Sequence, residues 1–180
     1  MLHIVVPARE LWDENKQEFV YTKEQSLQLE HSLVSLSKWE SKWCKPYLSN
    51  LEKTDEELLD YIKCMTVTQN VKPEVYANLS AQNIKDIVDY INAPMTATTF
   101  SDDTKSKGGR EIVTAEIIYH WMIALQIPPE YRKWHLNSLL ALIKVCNIKN
   151  SPPKKRSKRE IMSRNAALNA ARRQKLNTRG

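Results

Sequence analysis

The chain has 180 residues, 42% of them hydrophobic and 27% charged, with only three glycines. That is room for one ordinary domain with some chain to spare, and the composition excludes a low-complexity, collagen-like or fibrous polymer. The formal charge of +6 is unevenly distributed: residues 151–180 carry ten cations against the single anion Glu160, a net +9, which leaves residues 1–150 at −3.

A mildly acidic body followed by a basic arm is therefore expected, and such a body is a poor candidate for a nucleic-acid groove. Cys44, Cys64 and Cys146 are odd in number and show no CxxC or Cys/His zinc spacing, so they read as small buried hydrophobes in a reducing compartment. No run approaches the roughly 18–20 apolar residues of a membrane span. The apolar start of "MLHIVVPARE" is too short for a signal peptide. The expected location is the cytoplasm, away from any membrane.

In chain order, residues 1–31 have β character. "LHIVVP" is a β-branched run ended by a proline, and "ELWD", "ENKQ" and "EFVYT" read as strand, polar turn and strand, with "SLQLEH" continuing extended or leading into a helix. A small antiparallel hairpin or three-stranded sheet is expected.

From about residue 32 the period changes to that of a helix, and residues 32–150 read as a helical core. Leu33, Leu36, Trp39 and Trp43 share one face of a helix that must stop near Pro46. "TDEELLDYIKCM" opens with Thr54 as N-cap and acids at the positive end of the helix dipole, with Leu58, Leu59, Ile62 and Met65 as its buried stripe. "PEVYANL" gives one short turn. "SAQNIKDIVDYINAP" then supplies Ser80 as N-cap, the stripe Ile84, Ile87, Val88 and Ile91, and Pro94 as the stop.

"MTATTFSDDTKSKGG" lacks helical periodicity and reads as a long exposed loop. "REIVTAEIIYHWMIALQIP" is apolar around most of its circumference, so it is expected as the central helix of the core, broken by Pro128 and Pro129. "EYRKWHLNSLLALIKVCNIK" resumes with Trp134, Leu139, Leu142 and Cys146 on one line and Leu136, Leu140 and Ile143 beside it.

After "SPP", residues 151–180 form the basic arm, with Ser157 capping a helix rich in alanine and arginine. Its apolar stripe is too thin to dock stably. The fold class expected is mainly α with a small N-terminal antiparallel β element (α+β), ending in this arm.

Catalysis finds no support in these residues. Glu116 and His120 stand at i and i+4, but a zinc hydrolase needs further ligands and the HExxH pattern is absent; a buried, hydrogen-bonded histidine is the better reading. His31, His120 and His135 are scattered in sequence, Asp102 and Asp103 read as solvated loop acids, and "KSKGGR" lacks the phosphate-loop pattern. Neither metal nor cofactor is expected.

The contact candidates are the indoles Trp39 and Trp43, an aromatic ridge amid Lys38, Lys42 and Lys45, and the arm cations Lys154, Lys155, Arg156, Lys158, Arg159, Arg172 and Arg173. The indoles read first as a lid on the core and second as a protein contact. The arm reads as a solvated tail or as an electrostatic docking element for an acidic protein or a nucleic acid.

"LEHSLVSLSKWESKWCKPYL", "LLDYIKCMTVTQNV", "YINAPMTATTF", "REIVTAEIIYHWMIAL", "KWHLNSLLALIKVCNIKN" and "LNTRG", in this order, resemble the tail assembly chaperones of long-tailed bacteriophages. The resemblance implies a non-enzymatic role: holding the tape-measure protein soluble while tail-tube subunits assemble around it. It also leaves room for self-association. The competing class is a phage nucleic-acid-binding or virion structural protein that uses the basic arm.

Overall fold

A computed structural model describes residues 1–13, 17–100, 112–151 and 158–176. Among the described residues, four strands, β1 (Leu2–Val6), β2 (Arg9–Asp13), β3 (Glu18–Thr22) and β4 (Gln25–Leu29), precede seven helices: α1 (Leu33–Trp43), α2 (Asp55–Met65), α3 (Pro73–Ala77), α4 (Ala81–Asn92), α5 (Ala115–Ala124), α6 (Leu136–Asn150) and α7 (Lys158–Leu176). A 3-10 turn at Pro129–Lys133 links α5 to α6. The protein is thus mainly helical with a small N-terminal β element, as the periodicity implies. It divides into two compact units, Met1–Asn147 and Ile148–Gly180.

The strands form two antiparallel ladders, β1 with β4 and β2 with β3. Leu2 faces Leu29 and Arg9 faces Thr22, so both ladders keep a single register and belong to one long hairpin. Pro7, which has no N–H to donate, sits where the pairing lapses. Alternation then sorts the side chains: Ile4, Val6, Leu27 and Leu29 are buried, while Val5 points outward. The chain leaving α2 lies beside β4, with Glu30 N–H donating to Met65 O at 2.9 Å and Val67 N–H to Gln28 O at 2.8 Å.

Helix starts follow local chemistry. Ser32, Thr54 and Ser80 each accept from the backbone N–H three residues on, while Ser35, Glu57 and Asn83 reach back to the cap N–H. These reciprocal capping boxes satisfy donors that have no partner within the helix. At its C-terminal end α1 closes on Cys44 in the left-handed region, φ 52°, and Cys44 N–H donates to Glu40 O.

The buried faces differ from several sequence expectations. On α2, Glu57, Asp60, Tyr61, Ile62 and Met65 are buried, whereas Leu58 is exposed and Leu59 only partly covered. On α4 the buried residues are Asn83, Ile87 and Tyr90; Ile84 and Val88 are exposed.

α5 is shorter than expected and is not enclosed. Only Ala115, Ile118 and Met122 are buried, a single stripe that includes the side toward α1, while Ile123 is 77% exposed. His120 is exposed too, so the reading of a buried histidine fails. Trp134 precedes α6 and is exposed, leaving Leu136, Leu139 and Ile143 as that helix's buried set. Cys44 is exposed and Cys64 and Cys146 are only partly covered, against the expectation that all three thiols are buried.

Candidate functional site

Trp39 is a core residue. It is 1% exposed, its indole N–H donates to Glu57 O at 2.8 Å, and its ring packs edge-on to Tyr47 and Tyr61. Its candidacy as a contact-ridge residue is therefore corrected: the α1 face that carries it meets α2 and leaves no room for a partner. Trp43 is half-buried, stacks on Trp39 at 6.1 Å, and donates to Asp60 Oδ2 at 3.0 Å.

The lysines beside it bridge the same two helices. Lys42 pairs with Asp60 at 2.5 Å, and Lys45 with Glu57 at 2.6 Å. The Lys45 hydrogen bond and the N–H of Thr54 hold the Glu57 carboxyl below its usual range. Burial pushes Asp60 upward, but hydrogen bonds from Lys42 and Trp43 outweigh it and the net displacement is downward.

Of the arm cations, Lys154, Lys155 and Arg156 lie outside the described residues. Lys158, Arg159, Arg172 and Arg173 stand exposed on α7, with Arg173 in its last turn. Asp102, Asp103 and the "KSKGGR" segment also fall outside the described residues.

Sequence spacing gave no hint of a buried polar chain through the body. The imidazoles of His31 and His135 lie edge to face, with ring centroids 5.1 Å apart. Tyr61 Oη, whose ionisation burial pushes far up, shares a hydrogen bond of 2.6 Å with His31 Nδ1. His135 Nε2–H donates to Tyr90 O at 3.0 Å, and its Nδ1 accepts from Asn137 N–H at 3.3 Å. Tyr90 Oη in turn donates to Glu30 Oε1 at 2.8 Å, and the Met1 amino group sits 3.0 Å from Glu30 Oε2.

Both rings are therefore neutral. Burial, and then the neighbouring His135, lower His31 to about 4, and burial lowers His135 despite its bond to Tyr90. Backbone pairing explains the meeting: Ser32 and His135 form a β-bridge, and Leu136 N–H donates to His31 O at 2.7 Å.

Glu40 was also missed. Its buried carboxylate accepts from Tyr47 N–H at 2.9 Å and from Ala115 N–H, at the start of α5, at 2.7 Å. Burial raises its pKa, and those two N–H groups offset part of the rise. Every one of these polar groups is engaged by another part of the fold. Among the described residues, no three metal-ligating side chains converge.

The exposed apolar residues are less scattered. Leu58, Leu59, Ile84, Ile87, Val88 and Ile91 line one groove of about 360 Å³ between α2 and α4, with Tyr47 and Asp55 at its margin. A second apolar hollow, about 730 Å³, is lined by Leu48, Leu51, Ile112, Val113, Trp121 and Leu140. Of α5 only Trp121 reaches this hollow; Ile112 and Val113 lie just before the helix. Among the described residues, no helix is long and apolar enough to cross a membrane. Comparison with family models, with curated proteins and with solved structures gave no match.

Proposed function

We propose that the protein is a non-enzymatic client-holding protein, a tail assembly chaperone that keeps the tape-measure protein soluble while the tail tube is built. The observation that carries this reading is the groove between α2 and α4. Leu58 is 43%, Ile84 38% and Val88 47% exposed, and all three converge on one depression. Isolated exposed apolar side chains are ordinary, whereas a contiguous set marks a surface that a partner covers. A groove lined by aliphatic side chains on two short helices takes the apolar face of an amphipathic helix. A long helical tape-measure protein presents such faces repeatedly.

The buried polar groups support the same reading, because His31, His135, Tyr61, Tyr90 and Glu40 are satisfied by one another or by backbone.

The test is co-expression with the tape-measure protein of the encoding genome. Client in the soluble fraction is the expected result. Leu58→Asp with Val88→Asp should return it to the pellet, while circular dichroism and the thermal transition of the double variant stay as in the parent. A client that remains soluble with the double variant refutes the groove.

A further inference from the structure

We propose that α7 is a reading helix for the major groove of duplex DNA. The helix runs 19 residues, Lys158–Leu176, and each of its described side chains is exposed. At 3.6 residues per turn, Asn165 and Asn169 fall one above the other on a single line. Arg164, Arg172 and Lys175 flank that line on one side, and Arg159 and Arg173 on the other. The cations, with Lys158 on the Asn line itself, cover an arc of about 220°. The remaining arc carries Ala167, Ala170, Ala171 and Gln174.

This distribution decides between partners. A flat acidic protein surface meets one side of a helix, so cations spread over more than half the circumference are largely wasted on it. A groove has two walls and a floor, and duplex DNA lines both walls with phosphates.

The axial spacing agrees. Arg159 and Arg164 are separated from Arg172 and Arg173 by the segment "NAALNAA", and from Arg164 to Arg172 the helix rises about 12 Å, which is about three to four base-pair steps of roughly 3.4 Å along the groove. Within that segment the two Asn side chains stand on the line that faces the floor, and Ala167, Ala170 and Ala171 lie on the opposite side of the helix. Asn side chains there can pair with the N6 and N7 edge of adenine, and Leu168 offers apolar atoms to a thymine methyl. The major groove of A-form RNA is too deep and narrow for side chains to read. The proposal concerns the arm alone and is independent of the client groove on the body.

The test is fluorescence anisotropy of the full chain with a 20-base-pair mixed-sequence DNA duplex, across a salt series. Six phosphate contacts give a log–log salt slope of about −5. Arg172→Gln with Arg173→Gln should reduce the slope by about 2 units. Asn165→Ala with Asn169→Ala should leave the slope alone and cut the preference for an A·T-containing duplex over a G·C-only duplex by about fivefold or more. Leu58→Asp with Val88→Asp should change neither quantity.

All these variants alter exposed positions; an unchanged thermal transition verifies that the body is folded, and an unchanged helical circular-dichroism signal of the full chain verifies that α7 is. Equal affinity for an RNA duplex of the same sequence, or displacement of the DNA by polyglutamate at matched charge, overturns the proposal in favour of unspecific attraction to polyanions. An unchanged salt slope in the arginine variant also overturns it, and an unchanged preference in the asparagine variant removes the reading role.

Discussion

His31 and His135, 104 positions apart in sequence, pack edge to face in the body with their ring centroids 5.1 Å apart, both neutral. Their folded-state pKa values lie below the ordinary 6.5, so between that value and about 4 the unfolded chain binds more protons than the folded one. Stability is then complete above pH 6.5 and falls as the pH drops toward 4. For His31 alone the loss between pH 7 and pH 4 is about 3 kcal/mol, and His135 adds to it in the same direction. Urea unfolding at stepped pH measures the slope, and His31→Gln, whose amide offers Tyr61 Oη both a donor and an acceptor, should remove the His31 share. A flat profile from pH 7 to pH 4.5 in the parent would contradict the burial of this pair.

The two indoles of α1 should separate cleanly. Trp39→Ala empties a fully buried site and removes the indole hydrogen bond to Glu57 O, so a loss of about 3 to 5 kcal/mol is expected. Trp43 is half-buried, and Trp43→Ala should cost distinctly less while weakening the hold on Asp60. Equal losses in chemical denaturation would argue against the assignment of Trp39 to the core and Trp43 to its margin.

Glu40→Gln tests the carboxylate that joins α1 to α5. The amide retains one acceptor oxygen for two N–H donors and turns its own N–H groups toward one of them. The expected cost is about 2 to 3 kcal/mol, near that of a lost charge-assisted bond in a buried setting. Glu40→Asp shortens the reach to both donors and should be no milder. Stability equal to the parent in both variants would show that the bridge carries little.

Removing residues 151–180 should leave the thermal transition of the body within about 2 °C, since every residue of the buried core lies at or before Ile143. Trypsin should likewise trim the arm before it cuts inside 112–148. Early cleavage within α5 or α6 would overturn this division.

Where one side chain and its near neighbours decide the outcome, the sequence was readable. Thr54 and Ser80 cap α2 and α4 as their hydroxyls suggest, and α1 and α4 end before Pro46 and Pro94. β-branched alternation located the hairpin. Periodicity, however, identifies an apolar face without saying what covers it. Ile84 and Val88 fit a buried stripe in pattern but stand exposed beside Leu58, and α5 carries more apolar residues than its one buried stripe uses.

Long-range pairing left no local trace. His31 meets His135 because a β-bridge joins Ser32 to His135 across the body, and nothing near either residue announces it. In sequence Glu40 is one more charged position on an amphipathic helix.

That carboxylate also sets an order of events during synthesis. Its donor Tyr47 follows seven residues later, but Ala115 follows 75 residues later. At ribosomal speeds of about 5 to 20 residues per second, roughly 4 to 15 s separate Glu40 from the arrival of its second donor. Over that interval Glu40 has only the Tyr47 donor within the chain already made, so the tie between α1 and α5 is a contact that can form only after α5 has begun to be synthesised.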